Sequence, residues 1–161
     1  MPNHVRHSLT FADERSANLC AQLAGEINES GRVVPSMKVL MPESLLSPPQ
    51  FLWPPDNGKW YERHCDVYGS KWADYDIEFC NEEGARYLAF DSAWAFSSAY
   101  VTALAAAGVA FEGAVLDEGF GFAYEFGASD GVYACSECDP KDAYYIIYGV
   151  VYEDEDEEEP E

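Results

Sequence analysis

The clearest alternation of apolar and polar side chains lies in the middle of the chain, between residues 74 and 79. One set of positions is apolar and the other is acidic: Tyr75, Ile77 and Phe79 against Asp74, Asp76 and Glu78. A period of two residues is typical of a strand that buries one face. A second strand over residues 86–91 follows a turn at Gly84. The pattern therefore predicts an antiparallel hairpin with one apolar and one acidic face.

The segment before this hairpin predicts a strand, a helix and a long loop. Residues 3–11 alternate like a strand, and Thr10 with Asp13 is similar to a helix-capping box. Apolar residues then recur at helical spacing up to Gly31: Leu19, Leu23 and Ile27. Residues 33–58 contain six of the nine prolines. Proline interrupts helices and central strands, so this segment is predicted to be a loop.

The segment after the hairpin predicts a second helix and further strands. Ser97 or Ser98 is placed to cap a helix that ends at Gly108. Strands are predicted over residues 109–116, 120–126 and 144–152. This order of elements is typical of an α+β domain with both helices on one face of an antiparallel sheet. Residues 1–152 are predicted to form this single domain, and residues 153–161 a disordered acidic tail.

Several short motifs resemble a known protein family. They are residues 1–5 with Leu9 and Thr10, residues 41–45, Trp60 with Tyr61, and residues 68–72, 74–76 and 90–94. In this order they resemble the YubB-type ferredoxin-like domain that phages and plasmids carry, and they fall within residues 1–126. The chain departs from the family pattern at residues 95–97, where the family has Ser-Pro-Pro, and in its acidic tail.

This resemblance implies a ferredoxin-like fold and an origin in a mobile element, but it carries no catalytic residue. Three tryptophans belong to the matching motifs: Trp60, Trp72 and Trp94. Aromatic residues at strand spacing more often fill a core than form an exposed platform. We therefore expect these three side chains to be buried.

Charge is the strongest feature of the composition. The chain holds 30 acidic and nine basic residues, which gives a net charge of -21. Residues 153–161 carry eight of the carboxylates, and without them 22 acidic residues and a net charge of -13 remain. Such a charge repels a phosphate backbone and attracts basic protein surfaces. The simpler alternative is that the acidity only keeps an aromatic-rich protein in solution.

The cysteines and the apolar runs favour a cytoplasmic protein, and the family resemblance implies that the cell is a bacterial host. No run of 18 apolar residues occurs, and the first residues do not resemble a secretion signal. An odd number of irregularly spaced cysteines favours reduced thiols: Cys20, Cys65, Cys80, Cys135 and Cys138. Cys135 and Cys138 are a weak candidate pair for zinc, because a zinc site needs two further ligands, for which His64 and Cys65 are available. No cofactor is expected.

The sequence contains no arrangement typical of a catalytic site. His4, His7 and His64 are not spaced with a nucleophile, and Ser92 lacks the glycines of a nucleophile elbow. Neither a glycine-rich phosphate loop nor a His-Glu-x-x-His motif occurs. The chain is therefore predicted to be a binding protein rather than an enzyme.

Acidic side chains, with a few tyrosines, are the candidates for this binding. Carboxylates at alternate strand positions repeat about every 6.6 to 6.8 Å, which is close to the phosphate spacing of a nucleic-acid strand. Buried tyrosines would add affinity. The candidate residues are Asp66, Asp74, Asp76, Glu78, Glu82, Glu83, Glu112, Asp117, Glu118, Glu125, Tyr144, Tyr145 and Tyr148.

The leading hypothesis is an anti-defence protein that binds a host complex of the CRISPR or restriction type. Its acidic surface would imitate nucleic acid and occupy a basic nucleic-acid-binding surface, with no direct binding to nucleic acid or membrane. The alternative is an acidic accessory module, alone or as a homodimer, whose tail recruits a basic protein. A zinc-stabilised regulator is a third and weaker hypothesis.

Overall fold

The computed structural model of the chain describes residues 3–40 and 74–154. The strands in these ranges are β1 (His4–Phe11), β2 (Gly25–Ile27), β3 (Val33–Pro35), β4 (Tyr75–Glu82), β5 (Ala85–Ala93), β6 (Phe111–Asp117), β7 (Ala123–Ser129) and β8 (Val132–Glu137). The helices are α1 (Glu14–Ala24), α2 (Met37–Leu40), α3 (Ser98–Ala106) and α4 (Pro140–Tyr148). The predicted α+β class is confirmed.

Six of the strands form one antiparallel sheet in the order β4-β5-β1-β6-β7-β8. β2 and β3 pair only with each other, in a small separate hairpin. Helices α1 and α3 pack on one face of the large sheet, and α4, which the sequence did not predict, covers part of the other. None of the helices in the described ranges has the length and apolarity needed to span a bilayer.

Strand β1 forms the centre of the sheet, since it pairs with β5 on one side and with β6 on the other. Its residues alternate as the sequence predicts. Val5 and Leu9 are fully buried and belong to the same core as Cys20 of α1 and Leu104 of α3. Arg6 and its alternate neighbours lie on the opposite face. We call this second face, which α1 and α3 do not cover, the open face.

The hairpin strands β4 and β5, the helix α3 and the strand β6 also form where the sequence predicts them, although the alternation of β4 differs at its start. Residues of α3 that face the sheet are buried: Tyr100, Val101, Leu104 and Ala105. Gly108 follows this helix with a φ of 97°, a backbone conformation that glycine adopts without strain. A turn after Ser129 joins β7 to β8.

Helix α1 is shorter than the spacing of its apolar residues predicts. It begins after Asp13, whose carboxylate accepts a hydrogen bond of 2.8 Å from a backbone N–H of the first turn. Thr10 therefore stays in β1 and does not cap the helix. The helix ends at Ala24, and Ile27 is exposed in the following hairpin. The Asn28 side chain accepts two backbone hydrogen bonds at 3.0 Å and closes this hairpin.

The strand predicted over residues 144–152 is wrong, because this segment forms most of α4 and its end. The Asp139 side chain accepts a hydrogen bond from the Lys141 N–H at 2.8 Å. Pro140 occupies the first turn, where its fixed φ favours a helix. Gly149 ends the helix with a φ of 74°. These capping positions outweigh the strand preference of the tyrosines and isoleucines between them.

Other predictions are corrected or lie outside the described residues. The strand predicted over residues 120–126 forms at Ala123–Ser129, and the predicted loop contains β3 and α2 at its start. Trp94 is 43% exposed, so its predicted burial is wrong. Some predictions concern residues outside the described ranges. They are those for residues 41–73, among them His64, Cys65, Asp66, Trp60 and Trp72, and for the tail beyond residue 154.

A buried histidine holds β1 against the start of α3. The His7 Nδ1–H donates to the Val5 carbonyl at 3.1 Å, and its Nε2 accepts a hydrogen bond from the Ser97 N–H at 3.0 Å. The imidazole ring stacks on Phe90 with 4.4 Å between the ring centroids. Because the ring is fully buried, its pKa is lowered from 6.5 to about 3. His7 is therefore neutral in the folded protein.

We expect the His7 ring to make the free energy of unfolding decrease as the pH falls below about 6.5. In that range the unfolded chain protonates this histidine and the folded chain does not, so His7 contributes about 1.4 kcal/mol of destabilisation per pH unit down to about pH 3. Urea denaturation between pH 5 and 7 measures it. His7→Gln should remove this contribution. His4→Gln, on the open face of the same strand, is the control, and an unchanged pH slope in His7→Gln contradicts the assignment.

Candidate functional site

Helix α4 divides the open face of the sheet into two grooves. It packs over β6 and β7 through a small apolar cluster made by Ala143 of the helix with Ala114, Leu116 and Ala123 of the strands. Ala143 is the buried residue of this helix. Because so small a contact covers little of the sheet, the face stays accessible on both sides of α4.

The groove between α4 and β4 collects four carboxylates from three segments: β4, β5 and the turn after β6. It encloses about 730 Å³, and its acidic members are Asp76, Glu78, Asp91 and Glu118. Aromatic side chains of α4 and of the β6-β7 turn form the opposite wall: Phe120, Tyr144 and Tyr148. We call this site the acidic groove.

A β-bulge in β4 shapes the acidic groove. The pairing of β4 with β5 shifts between Tyr75 and Glu78, and Asp76 within the bulge has a φ of 49°. A bulge inserts a residue, so the side chains on its two sides no longer alternate in phase. Tyr75 consequently lies on the open face, whereas Ile77 and Phe79 pack on the core. The strict alternation predicted from Asp74 to Phe79 is therefore wrong at its first positions.

Arg6 of β1 lies in the floor of the acidic groove and contacts residues of both β4 and β5. Its guanidinium is 3.3 Å from the Glu78 carboxylate and 3.4 Å from the Asp91 carboxylate. It also donates a hydrogen bond of 3.0 Å to the Asp76 carbonyl. One arginine neutralises only one of the four carboxylates, so the groove keeps an excess of negative charge. Burial raises the pKa of Asp91, and the nearby Arg6 opposes that shift.

A histidine and a tyrosine close one end of the groove. The His4 Nδ1 is hydrogen-bonded to the Tyr75 hydroxyl, which donates to the Ser92 carbonyl at 3.2 Å. Burial, with the negative charge of Asp91 second, raises the pKa of Tyr75 to about 12. The phenol therefore stays protonated near neutral pH and acts as a fixed hydrogen-bonding group. A proton-accepting role at this position is not favoured.

The aromatic wall is a continuous cluster. The centroids of Tyr144 and Tyr148 are 4.6 Å apart, and those of Phe120 and Tyr152 are 4.7 Å apart. Tyr144 also contacts Tyr152 edge-on at 5.1 Å. Tyr148 is 51% exposed, so half of its surface faces the groove or solvent. Exposed tyrosines beside charged groups are typical of protein-binding surfaces.

The structure brings five of the thirteen predicted site residues together in the acidic groove: Asp76, Glu78, Glu118, Tyr144 and Tyr148. Glu112 and Glu125 lie on the other side of α4, in a second groove of about 670 Å³. Tyr145 lies on that side as well, beside Glu125. Glu82 and Glu83 are exposed at the tip of the β4-β5 hairpin. Asp66 lies outside the described ranges.

Two predicted site residues are buried and cannot belong to a binding surface. The Asp74 carboxylate accepts hydrogen bonds from the Ser36 hydroxyl and the Met37 N–H, each at 3.0 Å. Asp117 accepts a hydrogen bond of 3.0 Å from the Gly121 N–H and so closes the turn after β6. Only 6% of Asp74 and 5% of Asp117 is exposed. The predicted row of evenly spaced carboxylates along β4 is therefore wrong.

Sequence reasoning missed His4, Arg6, Asp91 and Phe120 as members of the groove. Arg6 and Asp91 are directly opposite each other in the β1-β5 pairing, and this register is not encoded locally in either strand. The alternation of β1 does place His4 and Arg6 on its polar face, which was a usable signal. Phe120 has a φ of 60° in the turn before β7, so its predicted strand position was misleading.

The cysteine pair offers little support for zinc. Cys135 is exposed on β8, whereas Cys138 packs beneath α4. Burial raises the pKa of the Cys138 thiol to about 11, which disfavours the thiolate that zinc requires. Within residues 3–40 and 74–154, no cluster of three or more histidine, cysteine or acidic residues is arranged to hold a metal ion. The other proposed ligands, His64 and Cys65, are not among these residues.

Comparisons with protein-family models, with curated proteins and with solved structures found no match to this chain.

The buried Asp74 should act on stability in the sense opposite to His7. Burial raises its pKa from 3.8 to about 6, so the folded chain binds the extra proton between these values. Its contribution to the free energy of unfolding should therefore increase by about 1.4 kcal/mol per unit as the pH falls from about 6 to about 4.

This expectation is tested by comparing the wild-type chain with Asp74→Asn in urea denaturation from pH 4 to 7. The amide does not titrate: its oxygen can accept the Met37 N–H, and its NH2 can donate to the Ser36 Oγ in place of the bond that the hydroxyl donates to the carboxylate. The wild type should therefore gain stability relative to the variant as the pH falls. Asp130→Asn, at the exposed turn between β7 and β8, is the control. A wild-type advantage that is constant across this range would show that Asp74 does not titrate as assigned.

Proposed function

We propose that this chain is a non-catalytic anti-defence protein of a mobile element. It binds the basic, nucleic-acid-binding surface of a host complex of the CRISPR or restriction type and excludes the nucleic acid. The observation that carries the proposal is the acidic groove, in which four carboxylates lie opposite the half-exposed Tyr148 and the partly buried Tyr144 on one sheet face. Complementary charge accelerates such an association, and aromatic contacts prolong it.

The overall charge supports a basic protein as the partner. Residues 3–40 and 74–154 contain 20 acidic and six basic side chains. The acidic tail continues beyond them with seven residues, six of them acidic. Such a field raises the rate of encounter with positively charged surfaces and repels nucleic acid. Because Asp74 and Asp117 are buried, the proposed imitation of nucleic acid rests on the acidic groove and not on a regular row of phosphate-like charges.

We also propose that the inner part of the sheet is a ferredoxin-like core. Strands β4, β5, β1 and β6 occur in this spatial order, and α1 and α3 cover one of their faces. This is the strand order expected when each of two helices connects strands of one antiparallel sheet. Strands β7 and β8 and helix α4 extend that core beyond β6. The added helix supplies the aromatic wall of the acidic groove.

The proposal predicts that the chain inhibits a defence complex through the acidic groove. Asp76→Asn combined with Glu118→Gln removes two negative charges from the groove, and inhibition should weaken by about tenfold or more. Glu112→Gln combined with Glu125→Gln removes the same charge from the other side of α4 and should change inhibition little. The measurement is cleavage of target DNA by host nucleases and CRISPR or restriction complexes that co-purify with the tagged chain.

Two results would contradict the proposal. One is a failure of the tagged chain to capture any nucleic-acid-handling complex from its host. The other is a captured complex that still binds its nucleic acid with unchanged affinity. If this chain blocks the nucleic-acid-binding surface, the complex cannot bind both at the same time. Raising the salt concentration should weaken capture by the wild-type chain more than capture by the groove variant, because exposed charge pairs are screened.

The alternative function, recruitment of a basic partner by the tail, has one structural observation in its favour. The Lys141 side chain on α4 contacts the Asp154 carboxylate at 2.7 Å, and this exposed ion pair brings the start of the tail next to α4. Deletion of residues 155–161 separates the two functions. Inhibition through the acidic groove should largely survive the deletion, whereas recruitment by the tail should be lost.

A further inference from the structure

We propose that the acidic groove is a socket for an arginine side chain of the partner protein, with tyrosine stacking on one side and carboxylates on the other. This inference rests on the proposed function for the existence of a basic partner. Beyond that function, the inference specifies the type of residue that the partner inserts and the residues of this chain that recognise it. The occupant is a surface segment of another protein that presents arginine.

The acidic groove has charge left over for a ligand. Arg6 is engaged by Glu78 and Asp91, so these two carboxylates already share a cation. Among the described residues, the carboxylates of Asp76 and Glu118 make no hydrogen bond or ion pair. Both residues are exposed at the mouth of the groove. A partner cation would pair with them without displacing Arg6.

The groove has an apolar surface next to this unpaired charge. Tyr148 is half exposed, and its ring meets that of Tyr144 with 4.6 Å between the centroids. A volume of about 730 Å³ exceeds that of one side chain, so the groove has room for an arginine and part of the segment that carries it. A cation here would contact an aromatic face and carboxylates at the same time.

This combination of surfaces favours arginine over lysine. A guanidinium is planar, stacks on aromatic rings and donates two parallel hydrogen bonds to a carboxylate, whereas an ammonium is a compact and strongly hydrated charge. Arg6 in the floor of the same groove shows that its geometry suits a guanidinium, because one group reaches two carboxylates and a carbonyl.

Other occupants fit the groove less well. A second copy of this chain carries the same net charge of -21 and would be repelled. A metal ion needs several ligands at short range, and the described part of the chain offers no such cluster. A nucleic acid would bring phosphates against carboxylates. A cationic protein segment satisfies both the charge and the aromatic surface.

The test uses fluorescent glycine-serine peptides that differ only in bearing three arginines, three lysines or three citrullines. Fluorescence anisotropy with the full chain gives each dissociation constant. The arginine peptide should bind about tenfold more tightly than the lysine peptide, and the neutral citrulline peptide should bind weakest. The carboxylates of the acidic tail can also favour arginine, so the tyrosine variants, which leave the tail unchanged, decide whether the preference arises in the groove.

Matched tyrosine variants test whether the preference for arginine arises in the acidic groove. Tyr148→Ala should weaken arginine-peptide binding about tenfold and lysine-peptide binding much less, whereas Tyr148→Phe keeps the ring and should retain the preference. Tyr145→Ala alters an equally exposed tyrosine on the other side of α4 and should have little effect. Thermal unfolding of each variant verifies that the fold is kept.

Equal affinity for the arginine and lysine peptides would overturn the inference, as would equal losses in Tyr148→Ala and Tyr145→Ala. These outcomes are distinct from failure of the proposed function, because the peptide assay contains no defence complex. An arginine preference that depends on Tyr148, without inhibition of any complex, would keep the socket and reject the function. Inhibition that depends on Asp76 and Glu118, without an arginine preference, would keep the function and reject the socket.

Discussion

The two faces of the central strand impose opposite electrostatic demands, and the rest of the structure depends on meeting both. One face of β1 lies under α1 and α3, where His7 is fully buried and must stay neutral. The other face carries Arg6, whose charge is retained because Glu78 and Asp91 lie beside it. Because side chains alternate along a strand, the charged Arg6 and the neutral His7 lie on opposite faces although they are adjacent in the sequence. The helix layer and the acidic groove follow from this separation.

Excess negative charge is the second constraint, and the fold meets it in two ways. A few carboxylates act as structural hydrogen-bond acceptors: Asp13 caps α1, Asp74 joins β4 to the start of α2, and Asp117 closes a turn. Most others remain exposed, where water screens their repulsion. The burial of Asp74 raises its pKa toward neutrality, while the burial of His7 lowers its own. Their effects on stability oppose each other in mildly acidic solution.

The elements that the sequence predicts well are those whose local pattern agrees with their tertiary surroundings. β1 and α3 are examples, because their apolar positions match the faces that pack on the core. Helix α4 was not predicted, because the strand-forming residues between Asp139 and Gly149 outweighed the capping signals at these two positions. The bulge at Asp76 was missed for another reason. A bulge is a mismatch between two paired strands, so β4 alone does not reveal it.

The same limits apply to the site. Carboxylates and tyrosines were recognisable as candidates by residue type, but their grouping depends on the register of β1 with β5 and on the position of α4.

The position of α4 also makes the two sides of this helix unequal. On one side Arg6 holds Glu78 and Asp91 in place, whereas Asp76 and Glu118, beside Tyr148, pair with no cation of residues 3–40 and 74–154. On the other side Lys141 lies close to Glu125 and Tyr145 and supplies a cation of its own. Each side thus holds one cation, and the difference is that Arg6 orders two carboxylates of the acidic groove in advance, so a basic partner should meet more preorganised carboxylate there than across the helix.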